Sequence, residues 1–576
     1  MKQLFSKFWP IFFLLLAWFI FASPYFIKGK VPYSSTYQVD FFHPWSMYLE
    51  FKGPVKNNAM PDVHTQIYPW KKLTIETYKI GQVPLWDPYN FTGNPHLANL
   101  QSAVLTPFNL LFFILPFIDA WSILILLQPI LAGFFMYLLT RSLKISKAGS
   151  FISAISFMFC GFIVVWMAYG TLAYAILYLP LAFWSIEKFY LTKKKKFLII
   201  LALTVPLSFF SGHIQTSFYF LMSVLFYIVF KGILNRNLLN TFCLMLSAFM
   251  GLILSLPQLL PAYSLYLQSP RSEAFGGGGT IPFIYLITVL APDFFGNAVT
   301  RNDWFGYYAE WASFVGIWPV FLAILAIIFA RRKQLPFIVL GVSALLLATC
   351  PPLITFLGTL KLPIISNSAA GRIIILFSFS LTVLAGFGFD DLVEVLEKRK
   401  NFKKIIILSG LMLIFFVSVW LILFFLKPMP TQWLIVAKRN FILPTVFFLG
   451  GTFLIVLSFK FKKIIILIAL YLLLATSFDS LRFTRKWMPF DPRNLVYPET
   501  PIIKAIKANI GDGRIFGNLG GEVSSYYQIP ILSGYDSLYI SRYGEFIKYH
   551  DRSTVGIAPH DPMTDRVFDL TGVSLI

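Results

Sequence analysis

Cysteine is nearly absent from this chain. Cys160, Cys243 and Cys350 are the only three among 576 residues. Each falls inside an apolar run, which excludes a disulfide or cysteine-metal framework and leaves them as small packing residues. Histidine is also scarce, with six residues (His43, His64, His96, His213, His550 and His560). None forms an H-x-H or H-x-x-x-H pair. One metal grouping stays open, Asp62-x-His64 with His43 or His96, against the plainer reading of hydrogen-bonding residues at a membrane edge. No Walker pattern occurs, nor any G-x-G-x-x-G between strand and helix, and Gly276–Gly279 reads as a flexible loop rather than a phosphate cradle. Charge is missing as well. Asp, Glu, Lys and Arg make up 13% of the chain, against about 25% in soluble domains, so a wholly soluble protein is excluded.

What fills the space is hydrocarbon, since hydrophobic residues make up 57% of the chain. They fall in runs, and a run of about 20 residues crosses an apolar layer about 30 Å thick as a helix. Short basic clusters separate the runs: Arg141/Lys144/Lys147, Lys193–Lys196, Lys231/Arg236, Arg331–Lys333, Lys398–Lys404 and Lys460–Lys463. Placing every cluster in the cytoplasm predicts spans near 8–27, 119–140, 148–168, 171–190, 197–211, 216–231 and 238–261, then 309–330, 336–350, 369–390, 404–426, 441–459 and 463–481. The expected fold is an all-α polytopic membrane protein with roughly 13 transmembrane helices. Its amino end lies inside and its carboxyl end outside. The first run is too long for a signal peptide and lacks a small-residue cleavage site, so it reads as a permanent span. The net charge of +22 then belongs to helix ends facing anionic lipid rather than to a nucleic-acid surface.

Residues 1–481 read as the membrane domain, and three long segments are left outside it: 28–118, 262–308 and the tail, 482–576. The tail has a helix-like stretch at 501–509 and a strand-like RIFG, which predicts a small α/β segment. In the first outer loop an amphipathic stretch at 68–80 is expected to lie along the membrane surface. Four carboxylates of that loop, Asp40, Asp62, Glu76 and Asp87, compete for a catalytic role. Residues 197–231 hold two apolar halves of about 15 residues around Ser211-Gly212-His213-Ile214-Gln215. Each half reaches only ~22 Å, short of a full span. Either the polar tip dips below the headgroups, bringing His213 and Gln215 to a cavity, or the bilayer thins around a buried loop. Arg372, just inside the outer end of a span, either snorkels or anchors a phosphate with its planar fork. Glu310, in YYAEW at the start of another span, is either interfacial or a site carboxylate. Asp293 in APDFFGN is the weakest candidate, because Asp beside Pro and Gly commonly makes a turn.

In order along the chain stand PDVHTQIYPW, GQVPLWDPYNFTGNPHLANLQSAVLTPFNLLF, SGHIQTSFY, LAPDFFGN, YYAEWASFVGIWP, AAGRIIILFSFSLTVLAGFGFDDL and SGYDSLYISRYGEF. With these stretches the chain resembles the bacterial YfhO family of multispan membrane proteins, within the GT-C class of glycosyltransferases. The resemblance implies a GT-C-like fold with an essential carboxylate in the first outer loop. Asp62, followed by Gln66 and Pro69-Trp70, matches that position, and Asp40, before His43-Pro44-Trp45, is the second candidate. It also implies transfer of a sugar from a polyprenyl-phosphate carrier to an extracytoplasmic acceptor: an envelope glycan, a teichoic-acid-like polymer or a lipid. Members of that family continue through another strand-rich outer segment where this sequence stops at FDLTGVSLI, so the segment 482–576 is expected to be a truncated one.

The implied chemistry suits the residues. A lipid phosphate leaves without a nucleotide site, so neither a cofactor nor a metal is called for, and partners reduce to the lipid-linked donor, the acceptor and membrane lipids. An ionised Asp62 or Asp40 can take the proton of an attacking hydroxyl. The substrate-binding candidates are Arg372, His64, Gln66, His96, His213, Gln215 and Glu310. Trp70 and Trp86 (and Trp45) either offer faces to a sugar or anchor the chain at the membrane. The rival readings are a flippase or transporter for a lipid-linked sugar, which would more often carry repeats with broken helices, and a non-catalytic scaffold for envelope assembly.

Overall fold

A computed structural model describes residues 2–273, 279–361, 364, 366, 368–517, 519–536, 538–547, 554–555 and 564–576. Most of the four-glycine run (Gly276, Gly277 and Gly278), together with His550 and His560, lies outside the described residues. The protein is an all-α polytopic membrane protein. Among the described residues nine helices are long and apolar enough to cross a membrane, and eleven if two bent pairs each count as one span.

The nine match nine of the expected runs, from Phe8–Lys28 to Ile464–Trp487. The bent pairs, Leu238–Leu254 with Leu256–Leu267 (61°) and Leu335–Thr349 with Pro351–Thr359 (82°), break where Pro257 and Pro351 start new helices. The last two expected spans are short. Lys196–Phe209 has 14 residues and Ile317–Ile328 has 12, about 21 and 18 Å of helix, so neither spans ~30 Å of hydrocarbon straight across. In the second case the apolar run begins at 309, yet the chain turns helical only at Ile317. Before that it forms a turn and irregular chain, pinned where the Phe314 carbonyl accepts from the Gly161 amide at 2.8 Å. A Cβ on Gly161 would sit 2.7 Å from the Phe314 nitrogen, so glycine is what permits the contact.

Contacts tie the basic turns together at one end of the bundle. Ser146 donates its amide to Asp390 at 2.7 Å, and Arg331 pairs with Asp391 and Glu394 at 3.0 and 3.1 Å. Arg332 donates to the Leu234 carbonyl, Lys231 pairs with Glu187 at 2.7 Å, and Phe402 packs on Phe459. Alternate placement of the basic clusters is therefore a real feature of the bundle. Within it, helices Ile317–Ile328 and Ile374–Lys398 touch at Gly388, where an added Cβ would lie 1.8 Å from the Leu322 carbonyl oxygen. Small residues at such crossings let helices approach closely enough for dispersion to hold them.

At the opposite end the first loop and the tail pack on each other. Val31 and Asp491 form a β-bridge, and Trp45, fully buried, donates its indole N–H to the Pro498 carbonyl at 2.8 Å. The stretch expected to lie on the membrane surface instead forms the helix Tyr68–Lys79, inside the protein. Tyr68 and Trp70 are fully buried, and Tyr68 stacks on Tyr497 and Tyr526 of the tail. The apolar face that the sequence displays is covered by protein rather than by lipid. In the tail, helix Pro501–Asn509 starts at Thr500, whose hydroxyl accepts from the Ile503 amide. Arg514–Ile515 pairs in parallel with Val573–Leu575.

Candidate active site

The loop end surrounds a cavity of about 710 Å³. Six candidates from widely separated segments line it: Asp62, Gln66, His213, Gln215, Glu310 and Arg372. Part of its wall is apolar helix surface, including Phe218, Leu221, Leu252 and Leu259.

Arg372 lies in the 3₁₀ turn Ala370–Ile373 that opens helix Ile374–Lys398. Its fork grips Glu310 at both ends, Nε to Oε2 and Nη2 to Oε1, each at 2.6 Å. That is the bidentate geometry which only a planar guanidinium provides. The outer nitrogen, Nη1, donates to Gln215 Oε1 at 3.2 Å and lies 3.4 Å from His213 Nε2. The guanidinium also stacks 5.1 Å over the Trp166 ring. Gln215 is fixed in turn by donating to the Tyr219 hydroxyl and to the Ala369 carbonyl. His213 caps helix Ile214–Asn235 by accepting from the Thr216 amide. The SGHIQ tip is thus a protein-buried turn at the cavity floor, and a Cβ on Gly212, whose φ is +96°, would meet the Leu100 carbonyl at 3.0 Å.

Asp62 starts the π-helical turn Val63–Ile67 and lines the same cavity. Tyr169 donates its hydroxyl to Asp62 Oδ2 at a long 3.5 Å. Burial pushes the Asp62 carboxyl above the usual aspartate range, the Tyr169 hydrogen bond and the charge of Arg372 pull it down, and Glu310 pushes it up. Burial wins. A carboxylate raised in this way holds a proton more tightly than a free one, which makes its ionised form the stronger proton acceptor. The same cavity is bordered by Arg271, so two carboxylates and two guanidiniums face one space.

Five candidates lie elsewhere. Asp40 pairs with Lys52 at 3.2 Å. His64 is fully buried among Tyr33, Tyr37 and Phe42, with Nε2 at 2.8 Å from the Ser34 hydroxyl, and burial holds its pKa down at about 3. His96 pairs with Thr74 at 2.8 Å, and burial, then Lys71, lowers it to about 3. Both rings stay neutral at physiological pH. Trp70 is enclosed, and Trp86, 50% exposed, closes over Gly93. The metal grouping of Asp62, His64, His43 and His96 is not assembled, because His43 turns to Ser46 and the other two histidines make the contacts just described. Among the described residues no three His, Cys, Asp or Glu side chains form a group that could hold a metal ion. Of the remaining acids, Glu76 pairs with Lys72 and Lys79, and Asp293 accepts from Lys486, Tyr308 and Asn297. Asp87 is buried against Ser525 of the tail.

Sequence reading missed Trp166, Tyr169, Arg271 and Tyr535, all of which border the cavity. The first two lie in WMAYG, the polar-edged aromatic end of an apolar run, which was a usable signal. Nothing in the sequence brings Tyr535, more than 450 positions from Asp62 by number, to the same place.

No protein-family model and no curated protein sequence matches this chain. Among solved structures the chain is similar to ArnT from Cupriavidus metallidurans. For the apo state the TM-score is 0.44 and the identity 11%, over 81% of this chain and 80% of that one. For ArnT bound to undecaprenyl phosphate the TM-score is again 0.44 and the identity 11%, over 89% and 86%. The apo oligosaccharyltransferase of Archaeoglobus fulgidus gives a TM-score of 0.36 and 10% identity, over 76% of this chain and 56% of that chain. Overlaps at this level leave the reading of the site to its own geometry.

Proposed function

We propose that this protein is an inverting, GT-C-like membrane glycosyltransferase that moves a sugar from a polyprenyl-phosphate carrier to a hydroxyl of an extracytoplasmic acceptor, with Asp62 as base. The observation that carries the reading is a cavity lined by both a raised carboxylate, Asp62, and a guanidinium, Arg372, beside apolar helix surface. Such a space suits a substrate with an anionic head and a hydrocarbon chain. The motif-level resemblance to the YfhO family supports the same substrate class.

In the proposed reaction the acceptor oxygen attacks C1 of the sugar as the bond from C1 to the phosphate oxygen breaks. The acceptor proton passes to Asp62, and polyprenyl phosphate departs with the bonding pair. Arg372, with Gln215 and His213 orienting its outer nitrogen, neutralises charge growing on the phosphate. Glu310 holds the guanidinium plane in place, so little reorganisation is needed when that charge appears. The acceptor is a glycan, wall polymer or lipid of the outer face, which places the loop end outside the cell and the basic end in the cytoplasm.

The test is purified protein in lipid nanodiscs with a radiolabelled polyprenyl-phosphate sugar and candidate acceptors. Label should move to the acceptor in wild type, and Arg372→Ala should lose most of the rate. Donor that crosses the bilayer without transfer would replace this reading with a flippase, and full transfer in Arg372→Ala would remove the phosphate role of that residue.

A further inference from the structure

Asp62 borders two cavities. The second, of about 490 Å³, lies between the first loop and the tail and also shares Tyr535 with the first. Its volume falls in the ~300–1,000 Å³ range of small-molecule sites. The loop contributes Phe41, Phe42 and Thr65, and the tail contributes Gly517, Gly520, Gly521 and Gly534. Its glycine walls are built in. Gly520 and Gly521 have φ of +76° and +62°, and a Cβ on Gly521 would meet Thr65 at 2.7 Å. That left-handed pair brings the Glu522 amide onto the Thr65 carbonyl at 2.6 Å, beside Asp62. Gly517 differs: an added Cβ there meets nothing within 4 Å, so the position opens on empty space.

We infer that this second cavity is the acceptor subsite, and that it takes a hydroxyl-bearing sugar or polyol unit. The inference rests on the transfer reading and deepens it. An inverting displacement needs the entering oxygen and the leaving phosphate on opposite faces of C1. Arg372 lines the first cavity and not the second, while Asp62 lines both, so a hydroxyl held in the second cavity reaches Asp62 from a space separate from the one that holds the phosphate. Its lining fits that class of ligand. Glycines put no side chain between the main chain and a ligand, and the rings of Phe41 and Phe42 offer apolar faces to a sugar. The tail thereby gains a role in choosing the acceptor.

Two variants of the full chain in nanodiscs test this, with a neutral glucose oligosaccharide and a poly(glycerol phosphate) as acceptor probes. Gly517→Leu fills the cavity without a wall to strike and should raise the KM for whichever probe is used by at least about tenfold. Hydrolysis of the donor by water should continue at the wild-type rate. Phe41→Ala, at a residue 52% exposed, should raise that KM about two- to tenfold with kcat unchanged. Probe binding without donor should weaken in step. Wild-type kcat/KM and wild-type probe affinity in Gly517→Leu would overturn the subsite while leaving the transfer reading intact. Donor neither hydrolysed nor transferred by wild type would overturn the transfer reading. Probe affinity alone would then decide the subsite, and wild-type affinity in Gly517→Leu, or no saturable binding of either probe to wild type, would overturn it.

Discussion

Arg372 and Glu310 should behave energetically as one unit. Two charge-assisted bonds of 2.6 Å join them, and their side chains are 22% and 30% exposed. Hydrogen bonds to charged groups contribute about 1.5–3 kcal/mol each, and cutting a fully buried pair costs about 3–5 kcal/mol. The partial exposure here places the expected coupling lower, near 2 kcal/mol. Arg372→Met and Glu310→Gln each strand a partner, whereas the double variant strands neither. A double-mutant cycle, read by detergent-titrated unfolding in mixed micelles, should therefore show the double variant no less stable than the worse single. Single-variant effects that simply add, with coupling below about 0.5 kcal/mol, would refute the claim that this pair organises the cavity. The same cycle read on transfer should show both single variants slowed, because Glu310 acts through the position of Arg372.

Asp40→Asn should leave transfer within about twofold of wild type and stability within about 1 kcal/mol, since its ion pair with Lys52 is largely wet; a large loss of rate would move the base to Asp40. Gly388→Ala should force apart helices Ile317–Ile328 and Ile374–Lys398, where the new methyl meets a carbonyl at 1.8 Å. The cost should be about 1–3 kcal/mol or more, seen as lost monodisperse protein in size-exclusion chromatography; wild-type yield and melting would contradict it. The tail should also hold less firmly as pH rises. Burial pushes the Asp87 carboxyl up to about 7 and Glu522 well above its usual range, each worsened by neighbouring carboxylates. A folded-state pKa raised above an unfolded value of about 4 gives stabilisation that is full below about pH 4 and lost as pH rises through about 7. Limited proteolysis of the tail should be faster at pH 8 than at pH 5, and Glu522→Gln should flatten the difference; equal rates at both pH values would refute it.

Much of the bundle was legible because helix length and basic turns are local properties. Nine spans and the gathering of Lys and Arg at one end follow from runs of Leu, Ile and Phe ended by Lys-rich turns. The run at 309–330 misled because hydropathy cannot see that residues 312–314 pack as irregular chain against Gly161. The amphipathic stretch at 68–80 was a real signal with the wrong partner, as Tyr68 faces Tyr497 and Tyr526 instead of headgroups. Within the site, polar residues inside apolar context (His213, Gln215, Glu310 and Arg372) were readable because burying them is costly without a partner. His64 and His96 gave the same signal yet turned into the loop core, since a sequence shows that a polar residue needs a partner without showing which one. Contributions from the tail, such as Tyr535, depend on contacts between distant segments and left no local trace.

If Asp62 takes the acceptor proton, sugar transfer depends on its carboxylate, and the rate in Asp62→Asn measures that dependence. The variant keeps size and loses the base, so transfer should fall by about 10²–10⁴-fold, with donor binding and folding unchanged. Transfer at the wild-type rate in a folded Asp62→Asn protein would show that another group takes the proton.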